Sequence, residues 1–129
     1  MTRARLIVCT TCRAGRTIAE DETPPGMLLY DALAGLIEAG DAAPVTLEEV
    51  ACLACCERGC ACAIAMPGKW TYLIGGISPD QAADVLAYGA AYVASRAGAV
   101  LPSRRPAALA NAVVARVPDL AAAGQEGGA

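Results

Sequence analysis

The stretch Cys52-Leu53-Ala54-Cys55-Cys56-Glu57-Arg58-Gly59-Cys60-Ala61-Cys62 holds five of the seven cysteines in the chain, and Cys9 and Cys12 form a CxxC near its start. The chain has no histidine. Its chemistry must therefore run through sulfur, and its fold must decide which thiols meet and which are packed away.

At 129 residues the chain suits one domain with a real core and is too short for two. Its apolar content is mostly Ala, Val and Leu, with no Phe and one Trp, and such small side chains let helices pack close to a sheet. The net charge of −3 and the absence of a basic face argue against a nucleic-acid partner. No window of about 18 residues is free of charge, so no membrane-spanning helix is expected. Met1-Thr2-Arg3-Ala4-Arg5 leads into about five apolar residues, too few for a signal-peptide core, which points to a cytoplasmic protein. In a reducing compartment, clustered cysteines more often mean metal or redox chemistry than structural disulfides.

Arg5 to Cys9 reads as a strand buried on both faces, delivering the first cysteine pair at its C-terminal end. Thr23-Pro24-Pro25 starts a helix, because proline is tolerated in a first turn, and Leu29, Leu33, Leu36 and Ile37 recur at helical spacing up to Gly40. Val45 to Ala51 is a second strand leading to Cys52. Ala61 to Met66 and Lys69 to Ile74 form a hairpin across Pro67-Gly68. Ser78-Pro79-Asp80-Gln81 is a capping box, and its helix carries Ala82, Val85, Leu86, Gly89, Tyr92 and Val93 on one side. Pro106 to Ala112 suggests a short helix and Val113 to Val117 an extended segment.

This β-α-β, hairpin, helix order is that of a thioredoxin-like α/β sandwich with a mixed four-stranded sheet. Residues 1–120 make up the domain, and the Ala- and Gly-rich residues 121–129 read as a disordered tail. A right-handed βαβ crossover makes the first two strands parallel neighbours. Both cysteine groups then leave the same end of the sheet, where cofactors of open α/β sheets commonly sit.

Four thiolates suit a [2Fe–2S] cluster or a structural zinc ion. Cys9 and Cys12 supply one pair; the second is Cys52 with Cys55, Cys52 with Cys56, or Cys56 with Cys60, and spacing alone separates neither the pairs nor the metals. Cys62, inside a strand, fits a buried core position. A thioredoxin-type dithiol at Cys9 and Cys12 would need a helix opening at the reactive cysteine, and none follows Arg13 directly. Arg13, Arg58, Arg104 and Arg105 are candidates for a positive rim.

Val8-Cys9-Thr10-Thr11-Cys12-Arg13, Cys52-Leu53-x-x-Cys56-x-Arg58-Gly59-Cys60 and Pro67-Gly68-Lys69-Trp70-Thr71-Tyr72 resemble a family of uncharacterised bacterial proteins, the DUF1636 type, described as predicted metal-binding proteins. Arg105-Pro106 and Val113 to Pro118 resemble that family's C-terminal end. Cys52-Leu53-x-x-Cys56, a hairpin and then Ser78-Pro79-Asp80 before a helix are more distantly similar to thioredoxin-like [2Fe–2S] ferredoxins. That similarity implies Cys9, Cys12, Cys52 and Cys56 as cluster ligands, with Cys60 as the alternate, although the first pair here is closer-spaced and Cys60 is an addition. It also implies an electron carrier rather than an enzyme, with a redox partner protein and a homodimeric state. The DUF1636 resemblance implies a setting beside cobalamin synthesis and cobalt handling. The competing expectations are a zinc-binding or metallochaperone protein and a thiol–disulfide oxidoreductase using Cys9 and Cys12.

Overall fold

A computed structural model describes residues 3–13, 17–40, 44–54 and 59–119. The expected tail, 121–129, lies outside the described residues, as do Cys55, Cys56 and Arg58. Strand β1 (Ala4–Cys9) leads to helix α1 (Pro25–Glu38) and strand β2 (Val45–Val50). Strands β3 (Cys62–Ala65) and β4 (Thr71–Ile74), helix α2 (Ala82–Ala94) and strand β5 (Val113–Val117) follow.

The sheet has five strands in the order β2-β1-β3-β4-β5, one more than the sequence suggested. β1 and β2 are parallel neighbours, with Ala4 opposite Val45 and Cys9 opposite Val50, as a βαβ crossover requires. The other three pairings are antiparallel. The additional strand is the segment Val113 to Val117, which pairs with β4 from Thr71 opposite Val117 to Ile74 opposite Val113, with an irregularity at Leu73/Ile74. An edge strand of this kind buries little, and Ala115, Arg116 and Val117 are exposed. Four of its five residues are apolar, so the segment reads as extended, but nothing in it specifies which strand it pairs with.

One face of the sheet is dry. Leu6, Val8, Cys62, Ile64, Tyr72 and Ile74 share it by register, and all are buried. Leu29 and Leu33 of α1 and Val85, Leu86, Tyr88 and Tyr92 of α2 complete that core. Gly89 lets α2 seat closely on the sheet here, because a Cβ on it would lie 2.7 Å from Val45 Cγ1. The opposite face carries Arg5, Ile7, Thr46, Glu48, Thr71 and Leu73, half-buried or exposed. On it the Arg5 guanidinium donates to both Glu48 oxygens, at 2.7 and 2.8 Å, and holds the Glu48 carboxyl below its ordinary range. Glu48 therefore keeps the alternation of β2, facing outward with this partner, and it is Glu49, opposite Val8, that departs from it.

Both helix starts are as the sequence implies. Pro25 opens α1 in its first turn, and Gly40 follows its end with φ +98. At α2 the Ser78 N–H donates to Gln81 Oε1 at 2.9 Å, across a 3₁₀ turn at Pro79–Gln81. The C-terminus of α2 is held from outside. Lys69 Nζ donates to the carbonyls of Tyr92, at 3.2 Å, and Val93, at 2.7 Å, where a cation also complements the helix dipole. Tyr92 Oη donates to the Trp70 carbonyl at 2.6 Å, and the Arg116 guanidinium lies 4.6 Å from the Trp70 ring centre. The expected short helix at Pro106 to Ala112 is only a 3₁₀ turn at Ala107–Leu109. It is tied by Arg105, which donates to the carbonyls of Val100, at 2.9 Å, and Ala110, at 2.8 Å.

Candidate metal centre

The first cysteine pair begins where β1 ends. Cys9 is the last residue of that strand, and its N–H donates to the Ala61 carbonyl at 3.1 Å. Thr10 then turns the chain against β2, its N–H reaching the Val50 carbonyl at 3.0 Å and its buried hydroxyl the same oxygen at 3.4 Å. Cys9 Sγ donates to the Ala51 carbonyl at 3.6 Å, and the Thr11 hydroxyl bonds that same oxygen. Because β1 and β2 are parallel neighbours, this turn and the segment entering Cys52 leave the sheet side by side.

Below the turn lies the start of α1. The Gly26 N–H donates to the Cys12 carbonyl at 2.9 Å, and Cys12 is buried. Pro24 and Pro25 have no N–H, so Gly26 offers the leading amide of this helix. The second cysteine segment is exposed at Cys52, whose sulfur accepts the Ala54 N–H at 3.2 Å. Ala54 takes φ +59 to close this turn, a conformation that costs a non-glycine residue about 1–2 kcal/mol. An N–H aimed at sulfur stabilises a thiolate more than a thiol, because the acceptor strengthens with charge.

Cys60 enters from a third direction. Its N–H and C=O exchange hydrogen bonds with Ile77, at 3.1 and 3.2 Å, which anchors the end of the cysteine segment beside the start of β3. The residue is fully buried and its thiol interacts with Cys12 and, more weakly, with Cys9. Burial first, and the neighbouring Cys12 second, push the Cys60 thiol up to about 11. Cys62 lies inside the core, and burial raises its thiol far above the ordinary range, so it remains a neutral packing residue.

The structure thus brings Cys9, Cys12 and Cys60 into one neighbourhood, with Cys52 on the adjacent strand end. Cys56, expected as the fourth ligand, and Cys55 lie outside the described residues. No disulfide joins any of the five described cysteines. Among the described residues no three Cys, Asp or Glu side chains converge closely enough to hold a metal ion. The donor set nonetheless fits a cluster or a soft metal: it is sulfur without imidazole, set at paired strand ends, with an N–H already directed at one sulfur. The arrangement fits a thioredoxin-type dithiol less well. Among the described residues no helix opens at Cys9 or Cys12, and α1 meets Cys12 through a backbone carbonyl.

Of the arginines considered for a rim, Arg13 and Arg104 are exposed, whereas Arg105 serves backbone carbonyls far from the cysteines in sequence. Gly26 is a residue of this site that the sequence marks only weakly. A glycine directly after Pro24-Pro25 is a poor helix former, and that is the available sign of a close backbone approach.

Residues 6–119 match the model of a family described as a protein of unknown function, DUF1636. The chain matches no curated protein. Among solved structures it is similar to a thioredoxin-like [2Fe–2S] ferredoxin from Aquifex aeolicus, with a TM-score of 0.56 at 11% identity over 90% of this chain and 94% of that one. A second structure, of the wild-type form of such a ferredoxin from the same organism, gives a TM-score of 0.56 at 11% identity, over 89% and 99% of the two chains. At this identity the likeness establishes the thioredoxin-like fold. No described helix is long and apolar enough to cross a membrane.

Proposed function

The chain belongs to the DUF1636 family of proteins of unknown function, and for this member we propose a one-electron carrier that holds a [2Fe–2S] cluster. The observation that supports it most is the pairing of Cys9 with Val50 across parallel β1 and β2, which sends both cysteine segments out of one end of the sheet. The proposed ligands are Cys9, Cys12, Cys52 and Cys56, with Cys60 as the alternate.

A bound cluster would supply a site that accepts and returns one electron. The chain's own part is placement and electrostatics. The Thr10 and Thr11 bonds to Val50 and Ala51 fix the first turn against the second, and the Ala54 N–H stabilises negative charge on Cys52. Buried Cys60 and the helix-covered face keep water from one side of the site. No catalytic residue is needed. The acidic chain, with a net charge of −3, would dock a partner with a basic surface. We further propose a homodimer in the cytoplasm, and a role in reducing cobalt for cobalamin synthesis.

Single Cys→Ser variants test the ligand set. Substitution at Cys9, Cys12, Cys52 or Cys56 should bleach or strongly change the visible spectrum, whereas Cys62→Ser should leave it intact. An unchanged spectrum in both Cys52→Ser and Cys56→Ser would reject this assignment. Colourless wild-type protein with about one zinc per chain would point instead to the zinc-binding alternative.

A further inference from the structure

We propose that Gly26 is a positioning residue for the metal centre: its missing side chain lets the first turn of α1 seat against the Cys9–Cys12 turn and so determines where that cysteine pair is presented. This rests on the reading that Cys9 and Cys12 bind a metal centre, although it does not require that centre to be a cluster.

A Cβ on Gly26 would lie 2.1 Å from the Cys9 carbonyl oxygen, 3.0 Å from the Cys12 nitrogen and 3.1 Å from Cys12 Cβ. Three atoms of the two cysteines therefore occupy the space that any other residue would fill. Two of them are backbone, which cannot swing aside as a side-chain end does. The Gly26 N–H holds the same turn through the Cys12 carbonyl at 2.9 Å. Contact and hydrogen bond act on one element, the link between the two thiols.

The charge environment has the same sense. The first turn of α1 carries no acidic residue and no side-chain cap, so no carboxylate of that turn neutralises the positive end of the helix dipole. That end faces the turn whose thiolates and bound metal would carry net negative charge. Gly26 allows the approach that makes the dipole felt, because the effect fades within a helical turn.

Other glycines provide controls. In Gly35, on the same helix, an added Cβ meets nothing within 4 Å. In Gly89 it meets Val45 Cγ1 at 2.7 Å, a tight fit on the core side of α2. Gly26→Ala must open its gap by about 1 Å, against a tolerance of roughly 0.2 Å in metal–ligand distances.

The test is anaerobic titration of the full apo chain with Co(II), read by the thiolate-to-cobalt charge-transfer band, for wild type and the Ala variants of Gly26, Gly35 and Gly89. We expect Gly26→Ala to bind Co(II) about tenfold or more weakly, with a shifted band, as supporting-shell substitutions do. Gly35→Ala and Gly89→Ala should bind as wild type does, even where Gly89→Ala lowers thermal stability. Wild-type-like binding by Gly26→Ala would overturn the inference and leave the metal-centre reading standing. No band in wild type would overturn both. Should Gly26→Ala fail to fold, the wild-type amide spectrum decides. Adding Cd(II) should shift the Gly26 amide signal while Gly35 stays in place, and an unmoved Gly26 signal would reject the proposal.

Discussion

The two ends of the sheet solve opposite problems. At the end that holds Lys69, Trp70 and Tyr92, side chains satisfy backbone groups. Lys69 caps the carbonyls of Tyr92 and Val93, and Tyr92 returns a hydrogen bond to Trp70. At the other end, backbone groups are directed at side chains. The Ala54 N–H points at the Cys52 sulfur, and the Ala51 carbonyl accepts from Cys9 and Thr11. One end closes the fold; the other presents thiols that the protein alone does not use up. Substitutions at the first should therefore change stability without changing metal chemistry, and substitutions at the second should do the reverse.

The largest break in that division is expected at Lys69. Lys69→Met removes two charge-assisted hydrogen bonds and a cation over the Tyr92 ring, and should cost about 2 kcal/mol in denaturant unfolding. The visible spectrum of the loaded protein should not move. A spectral change would mean that the ends are coupled through α2.

Cys62→Ser sharpens the comparison from the sulfur side. Cys62 is fully buried in the helix-covered face, so its hydroxyl replacement should cost about 1–2 kcal/mol while leaving metal content unchanged. Loss of metal in this variant would show that Cys62 belongs with the site.

Alkaline pH should loosen the capped end. Burial pushes both the Tyr88 and Tyr92 hydroxyls up to about 12, from an ordinary value of 10.0. Their folded pKa values are raised, so this contribution is complete below about pH 10 and is lost as pH climbs through about 12. Apo-protein unfolding followed by tyrosinate absorbance should show stability falling across that interval. A flat profile would contradict the burial of these rings.

The smallest effect is expected at Tyr88. Its hydroxyl is buried without a well-formed hydrogen bond among the described residues, because nearby Arg105 spends its aligned N–H groups on the Val100 and Ala110 carbonyls and reaches the hydroxyl only weakly. Tyr88→Phe should be neutral or stabilising by up to about 1 kcal/mol, as measured by thermal unfolding.

The parts that sequence made legible are those encoded locally. The Leu29, Leu33, Leu36 and Ile37 spacing located α1, Pro25 and Ser78 marked helix starts, and Pro67-Gly68 placed the hairpin. The parallel pairing of β1 with β2, which sets the cysteine segments side by side, followed from the crossover rule. What escaped was non-local. Val113 to Val117 joins the sheet because β4 offers an open edge, and nothing in Val-Val-Ala-Arg-Val itself reports that edge. Cys60 lies by Cys12 because of its exchange with Ile77, seventeen residues later in the chain. Lys69 reads as the first residue of a strand, yet it precedes β4 and its partners are in α2. For the candidate site, the cysteine pairs were visible as a pattern, whereas the glycine that seats one of them was visible only as a weak helix former after two prolines.

The most direct test is a visible spectrum of protein purified without oxygen, read together with iron, sulfide and zinc content. The electron-carrier account predicts a brown protein with about two irons and two sulfides per chain, whose colour fades on one-electron reduction. Colourless protein holding zinc would contradict it.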